Sequence, residues 1–350
     1  GSGGPTLPLL ALAEEIRKQE EITNFLFLGS KNGPERQIVE KAGIPFVAIP
    51  SGKMRRYWSW KNFIDPLFIL LGGLMGFIFL LIFRPHVIVS AGSFVSVPVA
   101  YAAWMLRTPH VILQMDILPG LANRLMAPVS NLLVTYFEQT ANKFASMSLK
   151  HTIGPVVRNE FFSPDIKLAN KRFGLDPYIP LILITGGGQG AVSLNQAVLP
   201  LIKHLLNNFQ VVHLTGSESE KKKLDENSDF SHPHYHTFEV VQEGMGDLVA
   251  KSEIVLTRAG MGILGELATL QKDSVLIPLP GTHQEENAEL MKENDAAEYV
   301  SQIVLENEGI KWWDNFWKNR VPGEQGKNLH KILPEGGTKN FANLIFNLRD

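Results

Sequence analysis

Two glycine-rich segments hold the residues whose types and spacing could do chemistry. In the first, ILITGGGQGAVSLNQ, an apolar run is followed by Gly187, Gly188, Gln189 and Gly190 and then by a helix-like stretch. Backbone N–H groups at a helix start, unobstructed by side chains, can bind phosphate. A glycine-rich turn also occurs simply because a strand-to-helix turn is tight, and this segment alone leaves both interpretations open.

The second segment, LTRAGMGILGELATL, adds a cation and a carboxylate to the same pattern. Its turn contains Arg258, Gly260, Met261 and Gly262, and Glu266 follows roughly one helical turn later. A carboxylate there can accept two hydrogen bonds from a ribose diol, although the helix dipole alone also favours an acid near a helix start. Together the two segments fit a nucleotide diphosphate better than a lone phosphate.

Dinucleotide binding is the main alternative for a pair of glycine loops. Its fingerprint requires a glycine-rich first turn and an acidic residue about 20 residues further on, at the end of the next strand. After the opening segment GSGG, the next strand-like run ends in FLFLGS, where Gly29 and Ser30 stand in place of an acid. The missing acid weakens this alternative without excluding it.

Composition narrows the class of protein. A chain of 350 residues with 45% apolar and 19% charged residues is globular and long enough for two domains. Its net charge of −2 gives no reason to expect nucleic acid as a partner. It has no cysteine, which excludes disulfides, thiolate catalysis and cysteine-ligated zinc. It has no Asp-x-Asp metal motif, so we predict no metal site.

The elements that must position the loops follow a strand–turn–helix order. Short runs rich in Val, Ile and Leu recur between helix-like stretches, which indicates strands buried on both faces of a parallel sheet. The pattern occurs twice and predicts an α/β protein of two Rossmann-like, doubly wound domains facing a cleft. We place the domains at residues 1–159 and 160–340, with 341–350 as a C-terminal helix that could pack back on the first. GSGG has the form of a turn after a strand, yet no strand precedes it in the sequence.

Five ordered motifs carry a resemblance to a known family. They are GSGGPTLPLLALAEEI, SAGSFVSVPVAYAAW, GGGQGAVSLNQ, MGDLVAKSEIVLTRAGMGILGELA and HQEENA. The chain resembles the MurG family of UDP-N-acetylglucosamine transferases (glycosyltransferase family 28, GT-B fold). The resemblance implies inverting, metal-independent transfer of N-acetylglucosamine from UDP to a polyprenyl-diphosphate-linked muramyl-peptide in peptidoglycan synthesis. Two alternatives stay open: a different glycolipid acceptor, or a membrane-associated UDP-sugar-binding protein without its own activity.

The resemblance also assigns roles by position. For the donor it implies Gly187, Gly188, Gln189, Gly190, Arg258, Gly260, Met261, Gly262, Glu266, His283, Gln284 and Asn287, with Val241, Gln242 and Met245 at the uracil. For the acceptor it implies Gly3, Gly4, Thr6, Gly92, Ser93 and Asn123. The implied partners are a polyprenyl-linked lipid and the anionic inner leaflet of the membrane, with a homodimer or a cell-wall enzyme complex also open. Without the preceding loops, His283, Gln284 and Asn287 would be taken as an ordinary helix start.

Two departures from the family pattern concern catalysis. Pro5 stands where the family has a His proposed to act in catalysis, and proline can neither take a proton nor donate its N–H. LQMD replaces HEQN, which puts Gln114 in place of a Glu and Asp116 in place of an Asn. Asp116 is the best candidate for the general base, since it follows a strand whose carboxyl end should face a ligand. It could equally cap the turn before Pro119, and Thr6 and His283 are next in line.

The segment Leu67–Phe83 is uncharged and strongly apolar. As a helix it would be roughly 26 Å long, against a hydrocarbon core of ~30 Å. Strand-like runs of one sheet lie on both sides of it, so we predict that it lies on the membrane without spanning it. The protein would then be peripheral (monotopic) at the cytoplasmic face of the cell membrane.

The flanks of this segment support the membrane prediction. The basic residues Lys53, Arg55, Arg56 and Lys61 lie near the aromatic residues Tyr57, Trp58 and Trp60, and such residues favour the membrane interface. The predicted membrane contacts are Trp58, Trp60, Leu70, Leu74, Phe77 and Leu81. The alternative is a hydrophobic interface with a partner or a second copy. Ile310–Asn319, with three tryptophans, could form a second anchor or pack between the domains.

Overall fold

The computed structural model describes residues 3–20, 23–31, 33, 35–50, 61–187 and 192–349. The chain forms two compact units: unit 1 is Gly1–Val156 with Gly336–Asp350, and unit 2 is Val157–Glu335. The division therefore falls at residue 157, where the sequence suggested 160, and the chain returns to unit 1 at residue 336, where the sequence suggested 341.

Unit 1 begins with alternating helices and short strands. In chain order they are α1 (Gly3–Gln19), β1 (Phe27–Gly29), α2 (Glu35–Lys41), β2 (Phe46–Ala48), α3 (Lys61–Phe83), β3 (Ile88–Ser90), α4 (Ser96–Met105), β4 (His110–Gln114), α5 (Leu121–Met126), β5 (Leu132–Thr135), α6 (Glu138–Ala141) and β6 (Lys150–Thr152). The strands form two parallel sheets, with orders β1-β2 and β3-β4-β5-β6.

Unit 2 repeats the alternation around one larger sheet. Its elements are α7 (Ile166–Phe173), β7 (Leu181–Thr185), α8 (Val192–Leu205), β8 (Gln210–Leu214), α9 (Glu218–Asp225), β9 (Tyr235–Phe238), α10 (Met245–Lys251), β10 (Ser252–Thr257), α11 (Met261–Thr269), β11 (Ser274–Leu276), α12 (Gln284–Glu293), β12 (Glu298–Tyr299), α13 (Gln302–Asn319) and α14 (Glu324–Ile332). The sheet is parallel, in the order β12-β11-β10-β7-β8-β9. The last helix, α15 (Gly337–Arg349), belongs to unit 1 and packs on α1. The predicted α/β class with parallel sheets is confirmed.

The core of unit 2 lies against the central strands, and it includes the tryptophan-rich segment of α13. Trp313 is only 2% exposed and makes an edge-to-face contact with Phe209 at 6.2 Å between ring centroids. Trp317 contacts the same ring at 4.8 Å. Neither expectation for Ile310–Asn319 holds, because its aromatic side chains pack into the core of unit 2 itself.

In unit 1, the apolar helix α3 uses its glycines to pack closely on its neighbours. A β-carbon at Gly72 would collide with the carbonyl oxygen of Pro50, and one at Gly76 would lie 3.2 Å from Val99 Cγ2 of α4. Phe77, which the sequence placed on the membrane side, is half-buried against the same cluster as Val99. The glycines therefore let the backbone of α3 approach Pro50 and α4 closely, while Phe77 and Leu80 of α3 pack into the same cluster as Val99.

The opposite face of α3 is apolar and exposed. Leu70 is 70% and Ile82 73% exposed, and Leu71, Leu74, Ile78 and Leu81 share this face. Trp58 and Trp60 lie outside the described residues. Within the part of the chain that the structure describes, no helix is both long and apolar enough to cross a membrane.

Candidate functional site

The two glycine loops of unit 2 leave the sheet side by side. β7 and β10 are neighbours, and Thr185 and Thr257, their last residues, are in register. After β7, Gly187 has a φ of +81°, a conformation that favours glycine, and its N–H donates to Thr185 Oγ1 at 3.3 Å. Gly188, Gln189 and Gly190 lie outside the described residues. The carboxyl edge of a parallel sheet is where such folds bind ligands.

The start of α11 is open to a ligand. Gly260 is the N-cap residue, in an extended conformation, and no side chain caps the helix. Apart from the adjoining residues of the same segment, no described atom lies within 4 Å of the place where Gly260 or Gly262 would carry a β-carbon. Met261 between them is 3% exposed and fixes the helix start to the core. The first N–H groups of α11 can therefore receive an anion at close range.

Arg258 joins three segments around this helix start. Its Nη1 donates to the carbonyl oxygens of Ile277 at 2.8 Å and Pro278 at 3.1 Å, and its Nη2 donates to Ser193 Oγ at 2.8 Å. Its side chain is buried, and burial lowers the pKa of Arg258 to about 10. The hydrogen bonds of the guanidinium thus link the end of β11 and the start of α8 to the loop before α11. Its predicted contact with a pyrophosphate stays a prediction.

Glu266 lies on α11 and is paired with a residue that the sequence analysis missed. Arg158 Nε and Nη2 donate to Glu266 Oε1 at 2.9 and 2.7 Å. Arg158 Nη1 also contacts Glu160 Oε1 at 2.6 Å, and the guanidinium lies over the ring of Phe161 at 5.0 Å. Arg158 is 108 residues from Glu266 in the chain, so no local pattern could have indicated the pair.

This ion pair sets the charge of the predicted ribose site. Burial raises the pKa of Glu266, and the Arg158 guanidinium counteracts that rise. Burial also opposes the charge on Arg158, but the carboxylates of Glu266 and Glu160 raise its pKa. The two hydrogen bonds from Arg158 thus orient the Glu266 carboxyl group and place a counter-ion beside it.

Of the three residues predicted to contact the uracil, Met245 begins a helix that packs near this pair. Val241 and Gln242 lie in the loop after β9, and Met245 is the buried first residue of α10. Next to it, Gly246 approaches the carbonyl oxygen of Glu160 so closely that a β-carbon would collide with it. Because Glu160 also contacts Arg158, the start of α10 is tied to the ion pair at Glu266. The uracil-binding role of Val241, Gln242 and Met245 stays a prediction.

The third predicted donor group begins α12. Asn287 is fully buried, and its Nδ2 donates to the carbonyl oxygen of Ala259 at 3.0 Å. Gln284 Oε1 accepts from the N–H of Leu279 at 3.0 Å, and His283 at the N-cap is exposed. Asn287 therefore fixes α12 to the loop before Gly260. Contact of these side chains with a sugar stays a prediction.

In unit 1, the predicted acceptor residues meet at the carboxyl ends of β3 and β4. Gly92 has a φ of +76°, and a β-carbon on it would lie 3.3 Å from Asn123 Oδ1. Ser93 forms the turn that leads into α4, with its carbonyl oxygen accepting from the N–H of Ser96 at 3.0 Å. Among the described residues, no donor reaches Asn123 Oδ1 although it is buried. A buried amide oxygen without a donor suits a ligand hydroxyl or N–H.

The turn that carries Asp116 is held by its neighbours. Gln114 Nε2 donates to the carbonyl oxygens of Asp116 at 2.7 Å and Leu118 at 3.1 Å, and Asn123 Nδ2 donates to Gln114 Oε1 at 2.7 Å. Asp116 is half-buried and close enough to Tyr136 that, after burial, its charge contributes to the raised pKa of that phenol. Gln114, which stands where the family has a Glu, thus organises the turn. Asp116 remains a candidate both for the general base and for the residue that caps the turn before Pro119.

The start of α1 completes the acceptor side. Gly3, Gly4, Pro5 and Thr6 form its first turn, and Thr6 is only 3% exposed. Pro5 and Thr6 line a cavity of unit 1 together with Gly92 and Ser93. Among the described residues, no group of three or more His, Asp or Glu side chains is placed to hold a metal ion.

Comparison with known proteins places this arrangement in a family. Residues 1–132 match the glycosyltransferase family 28 N-terminal domain, and residues 181–311 match its C-terminal domain. A Lachnoclostridium phytofermentans protein named UDP-N-acetylglucosamine--N-acetylmuramyl-(pentapeptide) pyrophosphoryl-undecaprenol N-acetylglucosamine transferase is 37% identical over 319 residues, 89% of this chain and 86% of that protein. A Legionella pneumophila protein of the same name is 36% identical over 279 residues, 80% and 75% of the two chains.

A solved structure supports the fold. The crystal structure of MurG from Acinetobacter baumannii matches with a TM-score of 0.74 at 21% identity, covering 98% of this chain and 96% of that one. The GT-B fold and the family resemblance predicted from the glycine loops are both confirmed. The chain belongs to glycosyltransferase family 28.

Proposed function

We propose that the protein transfers N-acetylglucosamine from UDP-N-acetylglucosamine to a polyprenyl-diphosphate-linked muramyl-peptide, with inversion at the anomeric carbon. The observation that carries the proposal is the uncapped start of α11 beside a second glycine loop, with the Glu266–Arg158 pair further along the helix. The relatives from Lachnoclostridium phytofermentans and Legionella pneumophila bear the name of this activity, which supports the choice of donor and acceptor.

The donor's diphosphate would lie at the helix starts after β7 and β10. Gly260 and Gly262 leave room for it, and the N–H groups of α11 would stabilise the negative charge that grows on the departing UDP. Glu266 would accept hydrogen bonds from the ribose hydroxyls, and the loop at Val241 and Gln242 would receive the uracil. The sugar nucleotide is itself the substrate, so the reaction requires no cofactor, and the proposal includes no metal.

The acceptor would bind unit 1, where Gly92, Ser93 and Asn123 meet. In the proposed step the acceptor hydroxyl oxygen attacks the anomeric carbon, the bond from that carbon to the UDP oxygen breaks, and the hydroxyl proton passes to a base. Asp116 is the proposed base, since it follows β4 on a turn that Gln114 holds in place. A positioned general base contributes about 10²–10⁴-fold to a rate.

The lipid acceptor requires access to a membrane surface. On α4, which packs against α3, Tyr101, Trp104 and Met105 are also exposed, Trp104 by 61%. Arg84 after α3 and Arg107 after α4 are exposed cations. Apolar and aromatic side chains beside cations favour an anionic interface. We propose that this face attaches the protein peripherally to the cytoplasmic leaflet.

A panel of radiolabelled UDP-sugars and lipid acceptors tests the proposal. We expect label from UDP-N-acetylglucosamine to move to the muramyl-peptide lipid. Transfer to another glycolipid only would keep the reaction class and reject the acceptor. UDP binding in calorimetry without transfer to any lipid would support the alternative that Pro5 suggests, a binding protein without activity.

A further inference from the structure

His110, the first residue of β4, is a buried histidine with a hydrogen-bonding partner on each side of its ring. It is only 1% exposed. Its Nε2 lies 3.0 Å from Ser90 Oγ, and its Nδ1 lies 2.6 Å from Ser130 Oγ. A buried polar group costs free energy unless it is hydrogen-bonded. Both serine hydroxyls are therefore needed to hold this ring in the core of unit 1.

The direction of each hydrogen bond follows from Ser130. The Ser130 hydroxyl donates its only proton to the carbonyl oxygen of Met126 at 2.8 Å, so it accepts from the N–H at His110 Nδ1. Burial lowers the pKa of His110 to about 4, which keeps the ring neutral at neutral pH. A neutral ring with its proton on Nδ1 has a free acceptor at Nε2. The Ser90 hydroxyl therefore donates to His110 Nε2.

Ser90 is the last residue of β3, and its hydrogen bond ties the end of this strand to β4. Ile88 pairs with His110, and Ser90 pairs with Ile112. Since side chains two residues apart on a strand share a face, Ser90 and His110 are diagonal neighbours on one face of the sheet. Ser90 is 4% exposed, and its Oγ also lies 3.7 Å from the sulfur of Met126, the last residue of α5.

The main chain of His110 strengthens this connection. Its N–H donates to Asn131 Oδ1 at 3.0 Å, and its carbonyl oxygen accepts from the N–H of Asn131 at 2.9 Å. We refer to Ser90, His110, Met126 and Ser130 as the His110 network. Through this network, buried hydrogen bonds hold the end of β3, the start of β4 and the end of α5 together.

Each of these three elements also carries part of the proposed acceptor site. β3 leads into Gly92 and Ser93, and β4 ends at Gln114, which holds the turn of Asp116. α5 carries Asn123, whose Nδ2 donates to Gln114 Oε1 at 2.7 Å. The buried Oδ1 of Asn123 receives no hydrogen bond from any described residue. A shift between any two of the three elements would therefore change the distances between the acceptor groups.

We propose that Ser90 and His110 are positioning residues for the lipid acceptor. Their hydrogen bond sets the spacing between the turn after β3, the turn after β4 and the side chain of Asn123, so that the acceptor hydroxyl lies within reach of the general base. The inference rests on the proposed transferase function, because it concerns the acceptor side of that reaction. Both residues act through the elements that they connect, and a misplacement of about 1 Å can lower a rate by about 10²-fold.

Two substitutions of His110 separate its two side-chain hydrogen bonds. His110→Asn places an amide near the Nδ1 position, where it can donate to Ser130 but does not reach Ser90. His110→Gln is one carbon longer, so its amide oxygen reaches the Nε2 position and can accept from Ser90. We expect His110→Asn and Ser90→Ala each to lower kcat/KM for the lipid acceptor by about tenfold, and His110→Gln to lower it by no more than about threefold. UDP affinity in calorimetry should stay unchanged in all three variants.

A double variant and a matched control test whether the effect passes through this one hydrogen bond. Ser90→Ala combined with His110→Asn should lose no more kcat/KM than either single variant, because both changes break the same bond. Ser252→Ala is the control, since Ser252 is 1% exposed and its hydroxyl donates to the carbonyl oxygen of Leu248 at 2.8 Å in unit 2. It should lower Tm as Ser90→Ala does and keep the parent's kcat/KM for the acceptor.

Two kinetic results would overturn the proposal. Equal acceptor kinetics in Ser90→Ala and Ser252→Ala, measured where both are folded, would show that the Ser90 hydroxyl contributes to stability alone. Equal losses in His110→Gln and His110→Asn would show that the bond to Ser90 is not what positions the acceptor.

A readout without turnover separates this inference from the proposed function. The side-chain amide of Asn123, assigned by its loss in Asn123→Asp, can be followed by NMR in protein labelled on asparagine. Its resonance should shift in Ser90→Ala and His110→Asn and stay near the parent's in His110→Gln and Ser252→Ala. An unchanged resonance in all four variants would overturn the proposal. A parent protein that transfers no sugar would reject the proposed function, whereas a shifted amide in the same variants would still support the coupling of Asn123 to the His110 network.

Discussion

Replacing Arg158 by methionine should expose how strongly the predicted ribose carboxylate depends on its counter-ion. Arg158→Met keeps an apolar stem over Phe161 but removes both hydrogen bonds to Glu266. Removing one partner of a buried ion pair costs about 3–5 kcal/mol, because the other charge stays buried and unpaired. Arg158 also contacts the more exposed Glu160, a contact worth roughly 0–1 kcal/mol. We therefore expect a loss of about 3–5 kcal/mol in the free energy of unfolding at pH 8.

The loss in unfolding free energy caused by Arg158→Met should grow as the pH rises. Burial already raises the pKa of Glu266, and without Arg158 it should rise further. A carboxyl whose pKa is raised by folding binds more protons in the folded state, so its contribution to stability falls as pH rises. Relative to the parent protein, Arg158→Met should lose the least unfolding free energy below pH 4.5, the ordinary pKa of the carboxyl group. It should lose the most near pH 8.

Urea unfolding between pH 4 and pH 8 measures this loss, with calorimetry of UDP binding as the functional readout. Arg172→Met is the matched control, since Arg172 contacts Asp247 at 3.5 Å and is about one-third exposed; it should cost roughly 0–1 kcal/mol. Arg158→Met should bind UDP more weakly than the parent protein does, whereas the control should bind UDP with unchanged affinity. If the two variants lose equal stability at every pH, the account of the Glu266 site is refuted.

Further variants test separate parts of the site. Asp116→Asn should lower kcat by about 10²–10⁴-fold with unchanged UDP affinity; near-full activity in a steady-state assay would place the base elsewhere. Gly260→Val should abolish UDP binding in calorimetry yet leave Tm unchanged, because the β-branched side chain would enter the open space above α11; unchanged binding would contradict the phosphate site. Burial lowers the pKa of His213 from 6.5 to about 4, so the free energy of unfolding should fall by about 3 kcal/mol as the pH falls from 6.5 to 4. His213→Gln should lose this pH dependence in urea titrations. Leu74→Asp should reduce sedimentation with anionic vesicles, whereas Glu306→Asp on the surface of unit 2 should not; equal binding would reject the α3 face as the membrane contact.

The features that the sequence predicted well are local ones. Gly260, Gly262 and Glu266 lie within one strand–turn–helix segment, where spacing alone fixes which groups share a helix start. The same applies to the apolar exposed side of α3, which follows from the absence of polar residues. Short-range patterns thus predicted the fold class, whereas the binding of a donor by these loops stays a prediction.

The features that the sequence did not predict depend on contacts between distant segments. Arg158 reaches Glu266 across 108 residues, and only folding brings them together. Trp313 was a candidate surface anchor because tryptophan favours interfaces, yet Phe209 and the core of unit 2 cover it. Trp104, in contrast, is 61% exposed on α4. Composition could not distinguish a buried tryptophan from an exposed one.

The most direct test of the proposed function is to follow the reaction by NMR with UDP-N-acetylglucosamine and a polyprenyl-diphosphate-linked muramyl-peptide. We predict one UDP released for each sugar transferred, and a new anomeric signal of inverted, β configuration on the lipid. A product of retained α configuration would contradict the single-displacement step at the Asp116 turn. UDP-N-acetylglucosamine that stays intact, although calorimetry shows that it binds, would contradict the transferase function itself.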